Sequence, residues 1–444
     1  MPHRDIDLIY QNTSQVEAID LEAGEKALKE YIDFIWKIVQ NGKYDHPESV
    51  VNLPADVNFR NSLLQKVQDR KNSELKHIII IGIGGSNLGT MALYRALRGR
   101  LGAFLESKDP KIAFVDTVSP PLVSQVIELL NNHINSPEEL LVNVISKSGE
   151  TTETIANFEV IYQVLKNRFG DKVNERIVFT TDKGSKLWNE AQAKGLDLLE
   201  IPRNIGGRYS VLSGVGLFPL GLANFDIIGF WEGAGEMVTR CVNREVYQNP
   251  ALLSAILTYV NYTRGFNIYN SFYFNPELKS LGKWHTQLMA ESIAKEFNLN
   301  GEKVNIGITP IVSIGSIDLH SMATLFLGEP KNKLTQFIHA AQKENSPQVP
   351  ADLFMPGLVP DIANKSLADI MGAIYYGVKI AYLKNALPYS EIVMHEISEN
   401  SLGQYVQFKI CETMYLARLL GLNAFDQPKV EDYKRETREI LKKL

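Results

Sequence analysis

The chain has 444 residues, 45% hydrophobic and 22% charged, with 46 Lys and Arg against 51 Asp and Glu for a formal net charge of −5. That length exceeds one ordinary hydrophobic core and points to two domains, while the slightly acidic balance argues against a nucleic-acid partner, which would need a cationic surface. The opening MPHRDIDLIYQNTS lacks the apolar core of a signal peptide, and no uncharged apolar run is long enough to span a bilayer, so a cytoplasmic protein with no membrane partner is expected.

Residues 1–72 read as helices and surface loops, with GEKALKEYIDFIWKIV carrying apolar residues at helical spacing and YDHPESVVNLP breaking the pattern. From His77 the texture changes. HIIIIGIGGSNLG is a continuous apolar run ending in glycines, the mark of a strand buried on both faces of a parallel sheet. KIAFVD before PPLVSQVIELLNN, ELLVNVIS before TETIANFEVIYQVLKNRF, and RIVFTT before GSKLWNEAQAKG repeat the alternation of strand and helix, and LLEIP closes it.

A mostly helical bridge follows from Ile228 to about Arg264. The alternation then returns as NIYNSFYF, a helix over 277–297, VNIGITPI, a helix opening near Asp318, LTQFIHA, a helix over 363–387, SEIVMHE and a helix over 402–420. FDQPKVEDYKRETREILKKL is a turn and a charged helix, expected to dock back on the body. The predicted fold is α/β, with two doubly wound, mainly parallel sheets in three-layer αβα arrangement, whose ligand sites lie at the carboxyl ends of the strands. The expected parts are an N-terminal helical segment (1–72), a first sheet domain (73–227), the bridge (228–264), a second sheet domain (265–422) and the C-terminal turn and helix (423–444).

The stretch SKSGETTET, Ser146 to Thr154, follows a buried strand and opens the helix-like segment 151–169. Hydroxyls and backbone N–H groups at the positive end of a helix suit a phosphate. Ser and Thr followed by Glu also match an N-terminal capping box, and the stretch alone does not choose between the two. Gly82 to Asn87, GIGGSN, begins like a dinucleotide fingerprint but places Asn87 where the third glycine is needed, which weakens a nicotinamide reading and leaves a loop through which a ligand can approach the backbone.

NIGGRYS places Arg208 after two glycines at a strand end, suited to stabilising an oxyanion, although a surface ion pair is the commoner fate of an arginine. Gln287 and Glu291 share a helix face; Glu291 is a candidate general base, with a Glu291–Lys295 surface pair as the plainer alternative. His320 has the chemistry of a proton shuttle or of a structural histidine, and Lys434 on the charged terminal helix reads first as a solvated lysine. His395-Glu396 with Glu399 lacks the second histidine of H-E-x-x-H, so no metal site is expected. Cys241 and Cys411 have no CxxC spacing and are expected to be buried and reduced.

Together GIGGSNLG, SKSGETTET, NIGGRYS and FDQPKVEDYK, spread over about 78–434, resemble the phosphoglucose isomerases, which are built from two sugar-isomerase (SIS) domains. The glycine and SKSGET loops are shared with other SIS proteins, whereas the other two stretches are characteristic of this family. The resemblance implies a homodimeric enzyme that interconverts glucose 6-phosphate and fructose 6-phosphate without a cofactor. It implies that Gly84, Ser86, Ser146, Lys147, Ser148, Thr151 and Thr154 line the phosphate end and that Glu291 moves a proton between C2 and C1 through a cis-enediol. It further implies that Arg208 stabilises the intermediate's negative charge, that His320 from the neighbouring subunit and Lys434 assist ring opening, and that Gln287 and Gln427 add polar contacts. Lys429 and Ala294 stand where the family has glycine, and His285 and Thr286 where bulkier residues are expected; these departures bear on substrate range, with mannose 6-phosphate a second candidate. The competing reading is a SIS sugar-phosphate sensor without turnover, against which Glu291, Arg208, His320 and Lys434 stand together.

Overall fold

The computed structural model describes residues 6–102, 105, 107–341 and 346–444. The chain opens with a short strand β1 (Asp7–Ile9), followed by helices α1 (Ala18–Asn41) and α2 (Val57–Arg70). The first sheet then begins. Strands β2 (His77–Ile81), β3 (Lys111–Val115), β4 (Leu140–Ile145), β5 (Ile177–Thr181) and β6 (Asp197–Glu200) alternate with α3 (Leu88–Arg98), α4 (Pro120–His133), α5 (Thr152–Phe169) and α6 (Lys186–Ala193). The five strands run parallel in the order β3-β2-β4-β5-β6.

The isoleucine run of β2 explains why helices cover both faces. Side chains alternate across a strand, so Ile78 and Ile80 enter a core shared with α2 and α3, while Ile79 and Ile81 enter a second core with α4, α5 and α6. All four are fully buried. Each such side chain stabilises the fold by about 1.5–3 kcal/mol, enough to fix the strand at the sheet's centre.

The bridge consists of α7 (Gly214–Leu222), α8 (Ile227–Cys241) and α9 (Pro250–Thr263). The second sheet is built from β7 (Ile268–Tyr273), α10 (Lys279–Ile293), a hairpin of β8 (Lys295–Phe297) and β9 (Lys303–Ile306), β10 (Thr309–Ile314), α11 (Ala323–Leu327), β11 (Lys333–Ala340), α12 (Leu367–Lys384), β12 (Tyr389–Met394), α13 (Glu399–Leu419) and α14 (Val430–Leu441). Its order is β1-β12-β11-β7-β10, parallel except for β1, which adds antiparallel at the edge with Leu8 opposite Ile392. Among the described residues no helix is long and apolar enough to cross a membrane.

Several predicted elements differ from the structure. The N-terminal stretch supplies a sheet strand as well as helices. The helix expected over 277–297 stops at Ile293, because Ala294 turns to extended backbone and the Lys295 side chain donates to the Glu291 carbonyl at 2.8 Å, satisfying an orphan acceptor at the helix end. VNIGITPI is two strands: Asn305 at φ +50° breaks the extended run, so 303–306 pairs with β8 and 309–314 with β7. The helix expected near Asp318 is reduced to Ala323–Leu327, since the Asp318 carboxylate folds back to accept from the Ile314 N–H at 2.7 Å.

Helix α13 crosses the core and is buried from Ser401 to Ala417. It approaches α8 through glycines on both sides: a Cβ on Gly233 would lie 2.0 Å from the Asn400 carbonyl oxygen, and one on Gly403 would lie 2.2 Å from that of Phe230. Cys241 and Cys411 are buried and unbridged, and burial together with the facing Cys411 pushes the Cys241 thiol well up.

In the same helix Lys409 Nζ, fully buried, pairs with Glu412 at 2.7 Å and donates to Gln336 and to the Tyr269 hydroxyl. His285 of α10 lies beside this pair, with Nδ1 3.2 Å from the Ser271 hydroxyl and Nε2 3.9 Å from Glu412. Burial, and then the Lys409 cation, hold His285 well below the ordinary histidine range, so it is neutral and its approach to Glu412 is not an ion pair. Burial also lowers His77 and His339. These histidines take up protons in the unfolded chain at a higher pH than in the folded one, so the unfolded chain binds more protons below about 6.5 and stability is lost there as the pH is lowered. Urea unfolding at pH 5 is expected to show a free energy lower than at pH 7, by on the order of 1–2 kcal/mol; equal values would show that the buried histidines are not neutral.

Candidate active site

Six segments converge on one cavity of about 420 Å3, four from the first sheet's strand ends and two from the second half of the chain. The first is the loop after β2. Gly84 sits at φ +59°, in the left-handed region that favours glycine, and the Asn87 side chain donates back to the Gly82 carbonyl at 2.7 Å. Asn87 thus closes the loop on itself, which gives the fingerprint's missing third glycine a structural cause. Gly85 packs against the 207–208 backbone so tightly that a Cβ there would lie 2.2 Å from the Gly207 carbonyl carbon. This contact fixes the first loop against the arginine turn.

The second segment is 146–152. Ser146 is 1% exposed: its hydroxyl lies 2.8 Å from Thr151 Oγ1 and accepts from the Gly149 N–H, and its carbonyl accepts from Thr181. Thr151 is the N-cap of α5 but makes no side-chain cap bond, so the capping-box alternative does not describe these residues. Lys147 Nζ donates to the Ile205 carbonyl at 2.7 Å. Lys147, Ser148, Thr151 and Thr152 reach the cavity, whereas Ser146 lies beneath it and Thr154 is buried with its hydroxyl unbonded. Asp182, at the end of β5, also lines the cavity, its carboxyl pushed up by burial and held down by Lys147.

Arg208, in the turn after β6, has a side chain only 3% exposed. Its guanidinium donates to Ser292 Oγ (2.9 Å), Glu291 Oε2 (3.2 Å), Gln427 Oε1 (3.1 Å) and the carbonyls of Ala424 (2.5 Å) and Asp426 (3.2 Å). One cation therefore ties α10 to the segment that precedes α14.

On α10 the Glu291 carboxylate also accepts from Gln287 Nε2 at 2.9 Å. Lys295 does not pair with it; Lys295 Nζ lies 2.8 Å from the Asp426 carboxylate and donates to the Asp426 carbonyl. The i to i+4 alternative fails because the chain has left the helix before Lys295. The terminal segment closes the remaining side with Gln427, Tyr433, Lys434 and Arg438. Lys434 Nζ is 2.8 Å from Glu431, and Lys429, at the helix entrance, is 2.6 Å from Glu296.

Of the residues singled out in the sequence, Gly84, Ser86, Lys147, Ser148, Thr151, Arg208, Gln287, Glu291, Gln427 and Lys434 line one cavity. His320 is exposed and does not line it. Sequence reasoning missed Gly85, Gly207, Asp182, Tyr433 and Arg438; Asp182 follows a parallel strand directly, and Arg438 stands one helical turn after Lys434, so both carried a usable signal. A larger concavity of about 680 Å3, between α3 and the start of α10, contains none of the candidate residues. Among the described residues no group of three or more His, Cys, Asp or Glu is arranged to hold a metal ion.

Two largely parallel sheets meet at one hydroxyl-lined cleft in which a carboxylate is held against a buried arginine, an arrangement suited to an aldose–ketose isomerase. The chain belongs to the phosphoglucose isomerase family, whose sequence model matches residues 65–444. It is 31% identical over 383 residues to the glucose-6-phosphate isomerase of Carboxydothermus hydrogenoformans, covering 85% of this chain and 81% of that one. It is 30% identical over 442 residues to that of Methanocaldococcus jannaschii, covering 98% of each. The crystal structure of a glucose-6-phosphate isomerase from Chlamydia trachomatis shares the fold with a TM-score of 0.82 at 22% identity, over 99% of this chain and 89% of that one.

Proposed function

We propose that the protein interconverts glucose 6-phosphate and fructose 6-phosphate by base-catalysed proton transfer through a cis-enediol. The observation that carries this reading is the 3.2 Å contact between Arg208 and the Glu291 carboxylate inside a cavity whose opposite wall is the hydroxyl-rich loop 147–152. Isomerisation needs an anchored substrate, one base and a group that stabilises an oxyanion. In this reading Ser86, Lys147, Ser148 and Thr151 anchor the phosphate, and the buried Ser146 and Thr154 hold that loop in shape. Glu291 takes the C2 proton and returns it to C1, oriented by Gln287. Arg208 stabilises the enediolate oxygen, and Lys434 assists ring opening with Gln427 beside it.

In this reading His320, exposed in its own subunit, enters the site from a second copy of the chain, as the family resemblance implies. A homodimer also accounts for the apolar side chains left exposed at Phe354, Met355, Leu358 and Val359, and on α12 at Tyr376, Ile380 and Leu383. The protein acts in the cytoplasm on a free sugar phosphate. The test is proton NMR of fructose 6-phosphate in D2O with purified protein. Glucose 6-phosphate labelled at C2 is the expected product; binding without conversion would overturn the enzymatic reading.

A further inference from the structure

The balance of charges around the cavity does not by itself favour a dianion, so which cations are uncommitted decides what can bind. Five carboxylates line it, Glu150, Glu153, Asp182, Glu291 and Glu431, against four cations, Lys147, Arg208, Lys434 and Arg438. Three of the cations are committed within the protein: Arg208 to the partners given above, Lys147 to the Ile205 carbonyl, and Lys434 to Glu431. Among the described residues, Arg438 makes no side-chain hydrogen bond or close ion pair; its field reaches Glu150 and Glu431, whose main partners are Lys186 at 2.5 Å and Lys434 at 2.8 Å.

Two further observations place Arg438. Arg438 lines the same cavity as Ser86, Lys147, Ser148 and Thr151, and its field reaches Glu150, which lies between Ser148 and Thr151. Arg438 also follows Lys434 by four residues on α14 and therefore shares its face. Arg438 is exposed on α14, which buries no side chain, and so is open to a ligand that enters the cavity from solvent.

We infer that Arg438 is the principal cation for the substrate's phosphate, closing over a dianion held from the other side by Ser86, Lys147, Ser148 and Thr151. A guanidinium binds phosphate through two parallel hydrogen bonds, which a lysine cannot reproduce. The inference rests on the sugar-phosphate reading and deepens it: selection of phosphorylated over neutral sugars comes from the terminal helix as well as from the strand-end loops.

Arg438→Gln is expected to raise KM for fructose 6-phosphate about tenfold, the loss of one charge-assisted contact, with kcat within about twofold. The inhibition constant of inorganic phosphate should rise by a similar factor, and Arg438→Lys should recover part of both. Arg435→Gln is the control, because Arg435 lies on the same helix outside the cavity, beside Asp432 and Glu436; it should change neither. Unchanged KM and phosphate inhibition in Arg438→Gln, or a fall in kcat at constant KM, would overturn the assignment. Should the wild type fail to convert fructose 6-phosphate, the isomerase reading falls separately, and calorimetric titration of both proteins with inorganic phosphate still decides. About tenfold weaker binding by Arg438→Gln supports the assignment; equal affinity, or no binding by the wild type, overturns it.

Discussion

Glu291→Gln is expected to lower turnover of fructose 6-phosphate by about 10³-fold, within the range of a lost general base, while sorbitol 6-phosphate, which cannot isomerise, still binds within a few-fold of wild type. The substitution keeps the side chain's size, and its carbonyl oxygen can still accept from Arg208. What it removes is the proton acceptor. Because the phosphate contacts lie on other strands, KM and kcat should separate: kcat collapses and KM moves little. Solvent deuterium incorporation at C2 checks the same step directly. Turnover within tenfold of wild type would move the base to another residue, and Asp182, which lines the same cavity, would be examined next.

Arg208→Lys is the second. Its charge is conserved, yet the guanidinium makes five hydrogen bonds from one plane, and an ammonium has three protons on a point. At least two of the acceptors Ser292, Glu291, Gln427, Ala424 and Asp426 lose their bond to residue 208, although Tyr209, Gln287 and Lys295 still donate to Ala424, Glu291 and Asp426. The expected result is a loss of about 10²–10³ in kcat/KM from the missing oxyanion stabiliser, with a stability cost of about 1–2 kcal/mol from the lost charge-assisted hydrogen bonds. The two losses have separate readouts. Kinetics reports the first, and faster hydrogen exchange across 424–428 reports the second, since Arg208 ties that segment to the body. Wild-type exchange there with impaired kinetics would leave Arg208 with a purely chemical role; wild-type kinetics would remove it from the chemistry.

The first sheet was legible because its information is local. The run HIIII and the apolar run of β4 can be buried on two faces only in a parallel sheet covered by helices, and the alternating helices are visible between them. The second half was less legible. VNIGITPI contains two strands whose separation depends on the left-handed Asn305, and the edge position of β1 depends on a partner almost four hundred residues away, of which three residues carry no trace. Within the site, residue types at strand ends were readable: Arg208, Lys147 and the hydroxyls all lie where the alternation places them. Depth was not. Ser146 and Ser148 look alike in sequence, yet one supports the loop and the other faces the cavity, because Thr181, on the neighbouring strand, pairs with the Ser146 carbonyl. The Glu291–Lys295 spacing misled for a related reason: Lys295 lies two residues beyond the helix end, where the i to i+4 rule no longer holds.

The wall formed by Gln427, Tyr433, Lys434 and Arg438 has a consequence for how the protein is made. Apart from Val430 and Glu431 on the same segment, every other residue of the cavity precedes these in the chain, so the ribosome supplies this segment after the rest. Both sheets and the crossing helix α13 have left the exit tunnel or are leaving it before the cleft has its final side. A polypeptide truncated after residue 420 retains both sheets and α13 but lacks Lys434 and the Gln427 contact to Arg208. In the proposed reading the cleft is therefore completed only after both sheets and α13 have been synthesised.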